Sequence, residues 1–346
     1  MQEREERRRI LEELLSERIL VLDGATGTAV QARELTANDF GGPHLEGCNE
    51  NLVITRPDVV LDIHRGYLEV GADIIETDTF GGTGIVLAEY GLQDRVHEIN
   101  EIAARLARQA AAEYSTANKP RFVAGSMGPT TKAISVTGGI TFDELIRAFH
   151  DQAAGLVGGG ADILLVETSH DTRNVKAALI GIWKVFDEIG VELPVMVSGT
   201  IETNGAMLAG QTAEAFYAAV SHAELFSIGL NCATGPEFMT DHIRSLAALA
   251  RTRVSCVPNA GIPEADSGGV YPETPESLVA TLERFVDHGW LNLVGGCCGT
   301  TPAHIKLIAQ MADGKKPRTV LDHHRTLFSG VDFVEASDEQ RPLIVG

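Results

Sequence analysis

Eight short apolar runs, separated by stretches with apolar residues at three- and four-residue spacing, predict an α/β chain closed into a (β/α)8 TIM barrel. The runs fall at residues 19–22, 74–75, 122–124, 163–166, 195–197, 226–228, 254–257 and 291–294. They are continuous rather than alternating, which means burial on both faces, as in a parallel sheet covered by helices. The competing fold is an open doubly wound sheet, but no Gly-x-Gly-x-x-Gly follows the first run to favour it. A chain of 346 residues suits one barrel with additions at its ends.

Taken in order, residues 1–17 predict an N-terminal helix, because apolar side chains recur at helical spacing over 3–16. The first nine residues carry both signs of charge and no apolar core follows them, so this is no secretory signal. The barrel spans 18–316. Its first strand stops at Asp23-Gly24, and amphipathic helical patterns follow at 59–68, 96–111, 142–156, 175–186 and 278–286, with a last helix opening at Pro302. Two loops are longer than a barrel needs, 26–51 and 258–275, and long loops at strand C-terminal ends shape sites. Residues 317–346 form a linker or tail: an acidic stretch at 337–340, then Arg341-Pro342-Leu343-Ile344-Val345-Gly346, which reads as the first strand of a following module. A strap packed on the outside of the barrel is the second reading for 321–334.

Lys and Arg number 28 against 48 Asp and Glu, so the net charge is −20. An acidic surface argues against nucleic acid or an anionic membrane as partner. No apolar run approaches the roughly 20 residues that span a bilayer. Five cysteines is an odd count that makes a disulfide framework improbable. Cytoplasm is the expected compartment.

Three of those cysteines sit at strand ends. Cys232 closes the sixth run, and Cys297 and Cys298 stand together in Gly295-Gly296-Cys297-Cys298-Gly299-Thr300 after the eighth. Strand C-terminal ends converge on one barrel mouth. These two positions are two strands apart, about 10 Å between axes at the usual strand spacing, and the tilt of a mouth brings such thiols together. The glycines at 295, 296 and 299 let the turn bend so that adjacent side chains face one ion. Three thiolates suit zinc with a fourth position open, the pattern of a catalytic rather than a structural site. Such a centre favours binding a thiol substrate as thiolate, and S-alkylation is the reaction class. Structural zinc and three unconnected buried cysteines are the alternatives.

Six motifs in order carry a resemblance: Asp23-Gly24-Ala25-Thr26-Gly27-Thr28, Glu76-Thr77-Asp78-Thr79-Phe80, Gly125-Ser126-Met127-Gly128-Pro129, Val166-Glu167-Thr168, Gly229-Leu230-Asn231-Cys232 and the Cys297-Cys298 turn. From about residue 19 to 312 the chain resembles the homocysteine S-methyltransferase family, and within it the N-terminal homocysteine-binding module of cobalamin-dependent methionine synthase. The resemblance implies zinc on Cys232, Cys297 and Cys298, homocysteine as the thiol ligand, and an amino-acid end held by Asp23, the backbone of Gly24 and Ala25, and Glu167. An α-ammonium wants a carboxylate and an α-carboxylate wants backbone N–H groups in a Gly-bearing turn. Read without the resemblance, Asp23 caps a turn and Glu167 pairs with Arg173 or Lys176. Asn231, beside a ligand, is placed to donate to sulfur or to stabilise its turn.

The resemblance further implies methylcobalamin as donor, carried by another module, with cobalamin-binding and folate-binding modules of the same enzyme as partners. The expectation is a methyltransferase module, excised or split, acting in methionine synthesis. The alternatives are a stand-alone homocysteine methyltransferase using S-methylmethionine or betaine, and a non-catalytic zinc- or thiol-binding barrel. Cys48 has no partner motif and Cys256 reads as core; His170 and Asp171 are weaker candidates for the mouth, Phe80 and Met127 read as its apolar lining, and His323-His324 as a solvated pair.

Overall fold

All eight apolar runs form strands and every pairing among them is parallel. The structure, a computed structural model, describes residues 2–263 and 270–340. It opens with α1 (Gln2–Glu17), β1 (Leu20–Val21), the short α2 (Thr26–Gln31) and α3 (Leu52–Thr55), then α4 (Pro57–Glu69) and β2 (Ile74–Glu76). Next come α5 (Gly84–Leu87), α6 (Val96–Tyr114), β3 (Phe122–Met127), α7 (Phe142–Gly159), β4 (Ile163–Ser169), α8 (Thr172–Ile189) and β5 (Val195–Gly199). The second half runs α9 (Ala213–Val220), β6 (Ser227–Asn231), α10 (Pro236–Leu249), β7 (Arg253–Val257), α11 (Pro275–Asp287), β8 (Leu293–Val294) and α12 (Pro302–Ala312). The strand order 1-8-7-6-5-4-3-2 closes where Leu22 bridges Ile74, with Asp73 N–H donating to Val21 O at 2.7 Å and Asp23 N–H to Ile74 O at 3.0 Å. This is a (β/α)8 barrel.

Helix starts follow local chemistry. Proline occupies the first turn of α4, α10, α11 and α12, where its missing N–H costs nothing. Thr141 and Glu144 form a capping box on α7. The continuous apolar strands divide by parity. Ile19, Val21, Ile75, Val123, Leu164 and Val166 face the helices. Leu20, Leu22, Ile74, Phe122, Ala124, Ile163, Leu165, Met196 and Leu293 fill the barrel.

The N-terminal helix is part of that interior. Leu11 and Leu15, 1% and 2% exposed, join the inner cluster and plug the barrel floor. Burial of each contributes about 1.5–3 kcal/mol. Arg7 on the same helix donates to Asp162 at 2.6 Å and lies 5.1 Å over the Phe122 ring.

After α12 the chain returns along the outside. Arg318 is buried and donates to the carbonyls of Ala247, Ala250 and Thr252, terminating α10. A hairpin of β9 (Leu327–Ser329) and β10 (Phe333–Glu335) lies on α9, with Thr212 N–H donating to Val331 O at 3.0 Å and Ser329 Oγ to Ala215 O at 2.7 Å. The strand expected at 341–346 lies outside the described residues. Among the described residues no helix is long and apolar enough to cross a membrane.

Candidate metal centre and the carboxyl-lined cavity beside it

The end of β6 and the turn after β8 bring the three mouth cysteines together. The Sγ atoms of Cys232, Cys297 and Cys298 lie within 4.8 Å of one another, with Cys232 and Cys298 at 3.8 Å. The turn is locked by Cys297 N–H to Pro258 O at 2.8 Å, Ala260 N–H to Cys298 O at 2.9 Å and Thr300 N–H to Cys297 O at 3.0 Å. Of the three glycines expected to bend it, only Gly299 has a left-handed φ, +80°, and a Cβ there would sit 2.2 Å from Tyr271 Cγ. At Gly296 the requirement is close approach instead, since a Cβ would lie 2.6 Å from Thr300 Oγ1. On the other side Cys232 and Ala233 have φ of +58° and +57°, each costing about 1–3 kcal/mol.

The thiols polarise one another. Hydrogen bonding from Cys232, then from Cys297, pulls Cys298 down to about 3. The same two-way bonding, with Cys232 first, pushes Cys297 well above a normal thiol. Cys232 is pulled down by its bond to Cys297, but the bond to Cys298, burial and the Cys298 charge carry it up to about 11. Mutual hydrogen bonding thus makes Cys298 the most acidic of the three thiols. Three clustered soft donors, with no His or carboxylate among them, fit zinc with a fourth position left for another ligand.

Next to the thiols is a narrow cavity lined by Gly24, Ala25, Glu76, Glu167, Ser198, Asn231 and Cys297, among others, with no Lys, Arg or His among the described residues of its wall. Glu167 accepts from Ser126 Oγ, and at 3.4 Å from both Thr168 Oγ1 and Asn231 Nδ2. It forms no ion pair with Arg173 or Lys176. Asp23 Oδ2 accepts from the Glu76 N–H at 3.1 Å, while its Oδ1 is buried with no partner among the described residues. Asp23 thus ties β1 to β2 rather than capping its own turn. Burial, then the Glu167 charge, holds Glu76 well above the carboxylate range. Burial does the same to Asp23, opposed by the Glu76 amide and reinforced by Glu167. Burial raises Glu167 to about 7. Three crowded carboxyls without a cation form a receptor for one.

Asn231 joins the two halves. Its Nδ2 lies 3.9 Å from Cys297 Sγ and 2.7 Å from Thr168 Oγ1, and its Oδ1 accepts from Ser198 Oγ at 2.6 Å. Glu76, Ser126 and Ser198 were given no role in the sequence. Each stands two positions beyond an inward apolar residue (Ile74, Ala124, Met196), so strand parity carried the signal. Tyr271 was also missed; its ring packs on Gly299 in the β7–α11 loop.

Other candidates fall away from the centre. Cys256 is buried in β7 with Sγ 3.8 Å from Met239 Sδ, and Cys48 is buried beside Glu50. Met127 is part of the strand–helix core and does not line the mouth, because its strand position faces outward. Phe80 is exposed on its loop, His170 Nδ1 pairs with Thr200 Oγ1 at 2.9 Å, and His323 and His324 are exposed in the tail. Asp171 caps α8 and accepts from the Ser135 N–H at 2.7 Å.

Fold and site together define a barrel with a thiol cluster at its C-terminal mouth. A family model described as homocysteine S-methyltransferase matches residues 20–312, and the chain belongs to that family. The fold is also that of solved structures of the homocysteine methyltransferase MmuM from Escherichia coli. The metallated form is 21% identical over 88% of this chain and 98% of that one, with a TM-score of 0.68. The apo form is 22% identical over 85% and 95%, with a TM-score of 0.61.

Proposed function

We propose that this chain binds zinc through Cys232, Cys297 and Cys298 and holds homocysteine for S-methylation to methionine. The observation that carries this is the juxtaposition of two unlike receptors. A three-thiol cluster lies against a cavity walled in part by the carboxyls of Glu76 and Glu167, with no cation among its described lining residues. One small molecule with a thiol at one end and an ammonium at the other satisfies both.

In this reading Glu167, Glu76 and Asp23 receive the α-ammonium, which offsets the burial, and for Glu76 and Asp23 also the Glu167 charge, that hold their protons on. Gly24 and Ala25 present backbone to the α-carboxylate; the Ala25 N–H makes only a long 3.4 Å bond to Thr300 Oγ1 and is available. Asn231 donates towards Cys297 and keeps that side chain aimed at the cluster. When bound, zinc supplies a Lewis acid that keeps a substrate thiol as the thiolate at neutral pH. Positioning by the cavity aligns the sulfur with an incoming methyl group.

For the donor we favour methylcobalamin carried by a cobalamin-binding module, with a folate-binding module as a second partner, residues 18–316 acting as the homocysteine module of a methionine synthase. Of the thirteen large apolar side chains exposed among the described residues, six follow strand C-terminal ends around the mouth: Phe80, Val136, Leu208, Phe238, Ile262 and Val270. A donor borne on a protein surface would cover such a rim, whereas a small sulfonium or betaine has no need of it. Five free cysteines suit a reducing compartment such as the cytoplasm.

The test is zinc content followed by the zinc X-ray absorption edge with and without homocysteine. One zinc per chain and a fourth sulfur on adding homocysteine are expected; zinc indifferent to homocysteine would sink the reading. Cys297→Ala and Cys298→Ala should lose zinc while Cys256→Ala keeps it. Turnover with methylcobalamin, but not with S-methylmethionine or betaine, supports the donor assignment, and the reverse pattern rejects it.

A further inference from the structure

One extra residue is inserted into β4 where it pairs with β5. Val166 lies opposite Val197, yet Ser169 lies opposite Gly199. The bulge falls on Glu167 and Thr168, and bulges re-aim side chains beside sites. Thr168 takes φ of +54°, a left-handed conformation that a β-branched residue adopts only when its surroundings impose it. Asn231 imposes it from across the mouth. The Thr168 N–H donates to Asn231 Oδ1 at 2.9 Å, and Asn231 Nδ2 donates back to Thr168 Oγ1 at 2.7 Å. Ser198 Oγ fixes the same Oδ1 from the third strand at 2.6 Å.

With both of its groups so occupied, the carboxamide has one orientation, and in it Nδ2 also reaches Glu167 Oε2 at 3.4 Å and Cys297 Sγ at 3.9 Å. The Thr168 hydroxyl in turn lies 3.4 Å from Glu167 Oε2. One buried network thus touches the carboxyl that faces the amino-acid end and the thiol that faces the sulfur end.

We propose that Thr168 and Ser198 are positioning residues that act through the Asn231 carboxamide to hold the amino-acid end and the sulfur end of the site in one register. The proposal rests on the zinc and homocysteine reading above and adds two residues that do not touch the metal in that reading; Thr168 is also absent from the cavity wall, whereas Ser198 lines it, so for Ser198 zinc affinity is the deciding readout. Removing the Thr168 hydroxyl takes from Nδ2 its shortest acceptor while Oδ1 stays held by the Thr168 N–H and Ser198 Oγ, which loosens the amide's hold on Cys297 and Glu167 together. Two effects that look unrelated, on metal and on amino acid, then share one cause.

The variants are Thr168→Ala, Thr168→Ser and Ser198→Ala. Three readouts apply: zinc affinity by competition with a chromophoric chelator, the sulfur-to-metal charge-transfer band of the cobalt(II)-loaded protein, and KM and kcat for homocysteine. Thr168→Ala should weaken zinc binding about tenfold, as loss of an outer partner typically does. It should also shift the cobalt band and raise KM for homocysteine more than it lowers kcat. Thr168→Ser should restore most of what Thr168→Ala loses. Ser198→Ala should move the same readouts in the same direction by less. Unchanged zinc affinity and KM in Thr168→Ala overturns the proposal, and so does a Thr168→Ser protein as impaired as Thr168→Ala. If the Thr168 variants do not fold, Ser198→Ala decides alone: unchanged zinc affinity overturns it. A wild-type protein that binds no zinc defeats the functional reading instead, whereas zinc-competent variants identical to wild type defeat only this one.

Discussion

The two ends of the barrel treat buried charge in opposite ways. At the floor, Asp73 receives both Arg18 Nη atoms at 2.8 Å and the Val21 N–H at 3.0 Å. Asp162 receives Arg7 at 2.6 and 2.9 Å, Arg108, and the Val123 N–H at 2.8 Å. Each buried carboxylate there has a guanidinium and a backbone donor. At the mouth, Glu76 and Glu167 share a cavity with no cation among the described residues of its wall, buried Asp23 is bonded to the Glu76 amide beside them, three thiols crowd together, and Thr168, Cys232 and Ala233 are held in left-handed backbone. The floor matches each of these buried charges within the fold; the mouth leaves its carboxyls without a countercharge, at a cost the floor and core offset.

That contrast predicts separable mutational effects. The largest is at the floor. Asp162→Ala strands Arg7 and Arg108 without their carboxylate, and loss of one partner of such a buried set costs about 3–5 kcal/mol. Urea denaturation should show that loss while zinc content stays at the wild-type value. Loss of zinc along with stability would mean the two ends are one cooperative unit, and the contrast would fail.

The mouth should behave in reverse. Glu167→Gln removes a charged partner of the substrate ammonium, an interaction of about 1.5–3 kcal/mol, so homocysteine affinity should fall at least tenfold by calorimetry. Stability should move the other way. Glu167 titrates near 7 in the fold, above its ordinary 4.5, so between those values the native state holds a proton that the unfolded chain has released. Its contribution to stability therefore declines as pH rises from about 4.5 to about 7. Cys298, depressed to about 3, contributes with the opposite slope. The measurable quantity is the difference between variant and wild type, which should grow in favour of Glu167→Gln across that window and level off above it. A flat difference would show that the carboxyl is already matched.

Gly299→Ala tests the turn itself. Its left-handed φ and the Tyr271 ring leave no room for a methyl group, so the turn must shift and carry Cys298 with it. The expected cost is about 1–3 kcal/mol of stability, together with weaker zinc binding in the same chelator competition. Normal zinc affinity would show that Tyr271 yields and the turn does not.

How much of this was legible in the sequence depended on period and covalent neighbourhood. Each of the eight apolar runs contains residues of a strand, because continuous Ile, Leu and Val runs bounded by helical patterns have few other uses. Cys232, Cys297 and Cys298 were legible because thiols at strand ends converge by the geometry of a barrel. Glu76, Ser126 and Ser198 were not, although Glu76 and Ser126 stood inside quoted motifs. Their role follows from which way each strand faces, and that becomes visible only once an inward apolar residue such as Ile74 or Met196 fixes the parity. The bulge at Glu167 and Thr168 left no mark in the sequence, because it depends on the register with β5. Met127 was misjudged for the same reason of facing.

The smallest predicted effect separates an unmatched group that serves a site from one that merely lies in the core. His64 on α4 is fully buried, and neither ring nitrogen has a partner among the described residues. By that criterion alone it would rank with the mouth carboxyls. It differs in that no second titratable group shapes its shift: burial alone depresses it to about 4, so it is neutral at pH 7. A base depressed in the fold contributes its full share above its ordinary pKa near 6.5 and loses it as pH falls towards 4, because the unfolded chain gains the proton first. His64→Leu, a swap of similar volume, should change stability at pH 7 by less than about 1.5 kcal/mol and should flatten the decline between pH 6.5 and 4. Zinc affinity and homocysteine affinity should stay at wild-type values. If either moved, the rule that function shows in clusters of unmatched groups, and not in single ones, would have to be given up for this barrel.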